Sequence, residues 1–589
     1  MAARLLMVAG TMSGVGKSTL VAALCRLLAG KGVAVAPFKA QNMSLNAAVT
    51  PDGAEISRAQ AFQAQAAGVV PVAAMNPILL KPEAPDRCQV VVMGRPWRSL
   101  RAAEYYRVRD ELRPVVLRAL AELAARFDVV LIEGAGGAAE LNLRDGDFVN
   151  LGLAREVGAP ALLVGDIERG GIFAQLLGTL ALLSGPERER VWGLVVNKFR
   201  GDPALFAEGV RILEARSGLH VWGVLPYLQE PLMPAEDSLD LDRLGGGGAR
   251  AASPAAGASR AADASPDASG APAPGGAAFA GAGAPELVPA LDIAVVGLPH
   301  IANFDEFEPL AAEPDVRLRL VREAAAVGFP DLLVLPGSKS TLADLAWLRQ
   351  AGLDRVIRHV ARLGVPVLGI CGGYQMLGLT LEDPDGAEST VPVAGGIGLL
   401  PVRTRFVADK VTRQVRGRVA AGGGLWAAWA GLAFEAYEIH MGRTTVADPF
   451  AIGAGEPLAA GTRRLSGIDG AGIHRPSGTD EAGTRQPSGA EGPVWPWMRL
   501  VRRPGGEAVE DGCVRGNVAG TYCHGLLANA GLRTALLEAL WRRRGLDGRP
   551  VSALPASGPP EPSYERLARW AGDHLDLARL GACLGLRLQ

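Results

Sequence analysis

Residues 4–19 read RLLMVAGTMSGVGKST. An apolar run with no polar alternation enters a glycine-bearing turn, and a Lys-Ser pair then opens a helical stretch. A strand covered on both faces carries that kind of run. The turn, Gly10 to Ser18, can point successive backbone N–H groups at a phosphate from the positive end of the helix behind it. Lys17 would reach the β- and γ-phosphates, and the Ser18 hydroxyl would bind Mg²⁺. Counted back from Lys17, the first glycine of G-x-x-x-x-G-K-[ST] falls on Thr11, with Gly10 one place early. The nucleotide contacts expected here are Gly10, Thr11, Gly14, Gly16, Lys17, Ser18 and Thr19.

Outward from this loop the same grammar repeats. DVVLIEGAG (128–136) ends in Glu133, a carboxylate at a strand's C-terminal edge that can complete a Mg²⁺ shell. Asp52, in TPDGAEISRAQ (50–60), is a second candidate ligand. Further apolar runs are VAVAPFK (33–39), ALLVGDI (161–167), WGLVVNK (192–198) and VWGVLP (221–226), with helical stretches between them. Strands alternating with helices predict a parallel, doubly wound α/β unit over residues 1–243. Residues 244–288 are Ala, Gly, Ser and Pro with almost no large apolar side chain, which predicts a flexible linker. The strand pattern restarts with DIAVVGLP (292–299), VRLRLV (316–321), DLLVLPG (331–337) and VPVLGIC (365–371). This predicts a second α/β unit over 289–589, carrying a low-complexity insertion at about 453–492.

The second unit contains a candidate nucleophile. In VPVLGICGGYQMLG (365–378) Cys371 stands between strand and helix, flanked by Gly369, Gly372 and Gly373. Glycines there relieve crowding while the sulfur is pushed out at the strand's end, the cysteine counterpart of a nucleophile elbow. The N–H groups opening the next helix, Gly372 first, can hold an oxyanion. Cys25, Cys88, Cys513, Cys523 and Cys583 lack such a setting and read as packing residues.

Composition narrows the field. A chain of 589 residues, 49% hydrophobic, fills two or three cores. A net charge of −1 with mixed signs argues against a nucleic-acid binder. Six widely spaced cysteines without a C-x-x-C pair argue against a disulfide framework or structural zinc. No apolar run is long enough to span a bilayer, and Arg4 to Gly10 reads as a strand, not a signal peptide. The chain reads as soluble and cytoplasmic, with no membrane partner.

Several segments carry resemblances. The phosphate loop is similar to that of dethiobiotin-synthetase-like ATPases, which also begins Gly-Thr. That likeness implies ATP as the nucleotide, Lys39 from the second strand on the phosphates and Asn197 at adenine. Partition-type ATPases carry an extra signature lysine where this chain has Met12. The G-x-C-x-G elbow, LPGSKST (335–341) and GNVAGTYCHG (516–525) resemble class I glutamine amidotransferases. This implies Cys371 as nucleophile, His524 as base and an oxyanion N–H near Gly337, with His440 in YEIHMG as the alternative base. The glutamate that most such enzymes carry two places after the histidine is Leu526 here, so the third triad member is unassigned. FKAQNMSLN (38–46), MNPILLKP (75–82), DIERGG (166–171) and NKFRGD (197–202), with CGGYQMLG, YEIHMG and YCHG, together resemble the cobyric acid synthase family. That family amidates the b, d, e and g side-chain carboxylates of the corrinoid adenosylcobyrinic acid a,c-diamide, with one ATP and one L-glutamine for each. Cobyrinic acid a,c-diamide synthase shares both halves, but FKAQNMSLN and NKFRGD favour the first family. A non-catalytic phosphate-loop protein with a degenerate amidotransferase half is opposed by intact Lys17, Cys371 and His524.

Overall fold

The computed structural model describes residues 3–84, 86–143, 146–230, 232–234, 290–420, 422–447, 494–502, 506–546 and 562–588. The expected linker (244–288) and insertion (453–492) lie outside the described residues.

The six apolar runs of the first unit form one six-stranded parallel sheet. Its spatial order is His220–Pro226, Val191–Phe199, Ala161–Asp166, Arg4–Gly10, Val129–Glu133, Val35–Phe38. Successive residues of the central strand face opposite layers, Leu6 and Val8 one core and Met7 and Ala9 the other. That is why the run has no polar alternation. Each leucine so enclosed contributes about 2 kcal/mol. Register sets the functional ends side by side: Val8 is level with Glu133, Gly10 with Val164 and Asp166 with Asn197. The carboxyl edge of such a sheet is where α/β folds bind ligands.

Between the second strand and the long helix Ala102–Ala124 the chain builds a layer that sequence did not announce. It is a four-stranded sheet, ordered Gln41–Met43, Ile78–Ala84, Arg87–Val92, Arg95–Arg101, with a hairpin of Ala47–Val49 and Glu55–Ser57. This layer meets the second unit. Lys81 and Lys410, one from each unit, both clamp the buried Glu55 carboxylate at 2.5 Å. Lys339 of the second unit pairs with Glu83 of the first at 2.9 Å.

The second unit opens with the four expected strands in parallel, joined by Val518–Thr521. The sheet then continues antiparallel through Ala508–Arg515, Val494–Val501 and Val402–Val419, and Ala433–Val446 folds back to pair with Cys523–His524. Sequence reading missed this half, although Val402, Thr404 and Phe406 alternate buried with exposed Arg403 and Arg405 as a one-sided strand should.

The chain's end also departs from expectation. Helices Ser563–His574 and Leu577–Leu584 pack on the first unit. Leu567, Trp570, Leu580 and Leu584 join Leu20 and Leu24 in the core of the first. Trp570 Nε1 donates to Pro226 O (3.0 Å) and Asp576 N to Trp222 O (2.7 Å). The described part of the first unit therefore includes residues 562–588, because an amphipathic helix records its apolar face but not which body covers it. No helix among the described residues is long and apolar enough to cross a membrane.

Candidate active site

The first cluster forms at the end of strand Arg4–Gly10. Helix Lys17–Gly30 starts at the expected lysine, and the loop before it turns through left-handed Gly14 (φ 74°) and Gly16 (φ 96°). A Cβ on Gly16 would sit 2.2 Å from Asn197 Nδ2. Lys17 is buried and folds over the loop, donating to Met12 O (3.1 Å) and Gly136 O (2.8 Å). Thr11 Oγ1 donates to Gln175 Oε1 (3.2 Å), and Thr19 is half-buried in the helix's first turn.

Glu133 is the hub. Its Oε1 lies 2.7 Å from Lys39 Nζ and accepts from Ser18 Oγ (2.8 Å). Its Oε2 accepts from Gln63 Nε2 (2.6 Å) and Gln60 Nε2 (3.3 Å). Burial raises this carboxyl's pKa, but the Lys39 charge and the hydrogen bonds outweigh it and hold the group below the usual range. Ser18 and an ionised Glu133 are hard oxygen donors of the kind Mg²⁺ takes beside phosphate oxygens and water, so the residues fit that ion. Gln60 and Gln63 were missed in the sequence. Their spacing of three on helix Arg58–Ala66 puts both amides on one face, a signal that a helical reading could have used.

Two further expected members have partners of their own. Asp52 lies in the turn of the Ala47–Val49/Glu55–Ser57 hairpin, where its Oδ1 accepts from Thr50 Oγ1 (2.5 Å). That hairpin projects toward the second unit: a Cβ on the adjacent Gly53 would meet Thr412 O at 2.9 Å. Asp52 is a turn residue that lines a cleft with Lys410 and Arg443. Asn197 is buried at the loop, and its Nδ2 donates to Val15 O (2.8 Å), fastening the turn from behind. The next residue, Lys198 (φ 63°), pairs with Asp166 at 2.7 Å and so joins the DIERGG and NKFRGD segments.

The second cluster forms where strand Val367–Ile370 breaks into helix Gly372–Leu377. Cys371 itself takes φ 50° and ψ −108°, a region that side-chain-bearing residues avoid. The helix start packs closely on the neighbouring strand's end: a Cβ on Gly373 would lie 1.9 Å from Leu335 O. The thiol donates to Ile439 O (3.4 Å), and Cys371 and His524 line the same cavity. Gly337 and Gly372 converge on the same spot. A Cβ on Gly337 would come within 2.9 Å of His524 Cε1, and one on Gly372 within 2.9 Å of Ser338 N.

His524 is fully buried, stacked on Tyr437, with Nδ1 3.2 Å from Glu306 Oε1. Burial alone would keep the imidazole neutral. The Glu306 carboxylate and the Cys371 sulfur overcome that and push its pKa up to about 10. Glu306 Oε2 also accepts from Gly525 N (3.2 Å), which fixes the carboxylate's orientation. Glu306 therefore occupies the position a third triad member needs, 218 residues from its histidine. Leu526, where sequence would have sought it, is a core residue. His440 also lines this cavity, but its Nδ1 is 2.8 Å from Gly442 O, and the nearby Glu438 is engaged by Arg413 and Arg502. His524 Nδ1 thus faces a carboxylate, whereas His440 Nδ1 faces a backbone carbonyl.

Comparison with known proteins assigns a family to each unit. Residues 6–238 match the CobQ/CobB/MinD/ParA nucleotide binding domain, and residues 292–467 match the CobB/CobQ-like glutamine amidotransferase domain. The cobyric acid synthase of Sorangium cellulosum (strain So ce56) is 44% identical over 600 residues, covering 100% of this chain and 99% of the relative. That of Pelotomaculum thermopropionicum (strain DSM 13744 / JCM 10971 / SI) is 41% identical, covering 99% and 97%. That of Desulforudis audaxviator (strain MP104C) is 42% identical, covering 100% of both chains. Similarity of this extent over the whole length places the chain in the cobyric acid synthase family of glutamine amidotransferases.

Proposed function

We propose that the chain converts the b, d, e and g carboxylates of adenosylcobyrinic acid a,c-diamide to amides, in the cytoplasm, with one ATP and one L-glutamine per amide. The observation that carries this reading is the pair of clusters in one chain, one suited to activating a carboxylate and the other to releasing ammonia. A carboxylate does not react with ammonia at neutral pH because it has no adequate leaving group. Transfer of the γ-phosphoryl group to a carboxylate oxygen makes an acyl phosphate. Ammonia then attacks its carbonyl carbon, and inorganic phosphate leaves. Lys17 and Lys39 neutralise charge on the transferring group, the loop from Gly10 to Ser18 cradles the phosphates, and Asn197 braces that loop beside the nucleotide. Mg²⁺, held by Ser18 and Glu133, would supply further charge neutralisation there.

In the second unit Cys371 attacks the glutamine amide carbon and His524 passes the thiol proton to the departing ammonia. Water, activated by the same imidazole, then cleaves the thioester to glutamate. Gly337 and Gly372 would donate backbone N–H groups to the oxyanion, and Glu306 would keep His524 oriented. The test is mass spectrometry of the corrinoid after incubation with purified protein, glutamine and Mg-ATP. Four carboxyl-to-amide conversions of the a,c-diamide are expected. Two conversions of cobyrinic acid, with none of the diamide, would assign the chain to the diamide-forming reaction instead.

A further inference from the structure

The glutaminase cluster is not built by the second unit alone. The turn carrying Glu306 begins with Asn303, Phe304 and Asp305, and each of these is held by the first unit. Asn46 Oδ1 accepts from Phe304 N (3.1 Å), and Asn303 Oδ1 accepts from Ala47 N (3.0 Å). Each asparagine side chain thus accepts from the backbone N–H of the residue that follows the other, across the boundary, and both asparagines are buried. Arg58 Nε lies 2.8 Å from Asp305 Oδ2, and Arg58 N donates to Asn46 O (3.4 Å).

We propose that Asn46 and Arg58 of the first unit are positioning residues for glutamine hydrolysis, setting where Glu306 meets His524 by holding the Asn303–Asp305 turn. This rests on the reading of Cys371 and His524 as a glutaminase. Three features support it. Asn303 is left-handed (φ 55°), a conformation a side-chain-bearing residue keeps only where its surroundings impose it. Its Nδ2 lies 3.4 Å from His524 Nε2, so one side chain touches both the first unit and the proposed base. Two buried side-chain-to-backbone hydrogen bonds of this kind contribute directional geometry more than affinity, since desolvation offsets most of the hydrogen-bond gain.

The same elements reach the other site. Arg58 opens helix Arg58–Ala66, whose Gln60 and Gln63 hold the Glu133 carboxylate. Asn42 Nδ2 ties the segment before it to Ser57 Oγ (2.7 Å) and Gln60 Oε1 (3.2 Å). One short helix therefore spans from the phosphate-site carboxylate to the glutaminase turn.

The test measures glutamine hydrolysis and ammonium-driven amidation on the same preparations of full-length wild type, Asn46→Ala, Arg58→Ala and Arg58→Lys. Both alanine variants should lose about tenfold or more in glutaminase kcat with KM for glutamine within about threefold, as expected for misplacement of a base. Arg58→Lys should recover most of that loss. Ammonium-driven amidation should stay within about twofold of wild type in all of them. The inference is overturned if both alanine variants keep wild-type kcat, if only KM rises, or if both reactions fall in parallel without rescue by lysine. A wild-type chain that hydrolyses no glutamine at all would overturn the glutaminase reading itself.

Discussion

The phosphate loop and the cysteine elbow are built from the same parts, a parallel strand, a tight turn and a helix, yet they place backbone strain differently. In the loop, positive φ falls on Gly14 and Gly16, and Lys17 sits relaxed at the head of its helix. In the elbow, the glycines relieve contact with Leu335 and Pro336, and positive φ falls on Cys371 itself. The difference follows from the two tasks. A loop that wraps a polyphosphate must turn its own N–H groups inward, which glycine does without steric cost. A nucleophile must project one atom past the strand's end, so the strain sits on the residue that carries it. The polar partners differ as well. Glu133 is in register with the strand that feeds its loop, whereas Glu306 reaches His524 from a distant turn braced by the other unit.

If that division of labour holds, Lys17→Ala has the largest effect. Amidation should fall about a thousandfold or more with either glutamine or ammonium, because no acyl phosphate forms. Near-normal turnover with ammonium would remove Lys17 from the chemistry. Glu306→Gln should come next, lowering glutaminase kcat about a hundredfold while sparing the ammonium reaction, since amide for carboxylate weakens the hold on the imidazolium. Its stability effect carries a sign. His524 has a folded-state pKa near 10, above the ordinary value of 6.5. The pairing therefore stabilises the fold fully below about pH 6.5 and is lost as pH rises towards 10. Removing one partner of such a buried pair costs about 3 kcal/mol. The gap in apparent melting temperature between wild type and Glu306→Gln should be widest in mildly acid buffer and narrow as pH approaches 10. A gap that widens with pH would contradict the assignment. The smallest effect is expected at Asp52. Asp52→Ala should change amidation less than twofold with either nitrogen source, whereas a loss comparable to Glu133→Gln would return Asp52 to the phosphate site.

How much could be read beforehand follows the same contrast. The six strands of the first sheet were readable because each is an apolar run, and parallel register brings the ends of such runs, Glu133 and Lys39 among them, side by side. The elbow was readable because its glycines are local. Glu306 was not: nothing in NFDEFEP ties an acid to a histidine 218 residues away, and the first unit supplies the brace. The closing helices were misassigned for a related reason, since periodicity marks the apolar face of Ser563–His574 without naming helix Lys17–Gly30 as its partner. Asp52 was a candidate ligand on the chemistry of its carboxylate alone. The hairpin directs it elsewhere.

Cys371→Ala tests most directly whether ammonia release is separate from carboxylate activation. Rates of ATP-dependent amidation should be measured on one folded preparation, first with glutamine and then with high ammonium at mildly alkaline pH. Glutamine-dependent amidation should disappear while the ammonium-driven rate stays near that of wild type. Undiminished turnover with glutamine, or parallel loss of both activities in a folded protein, would contradict the account.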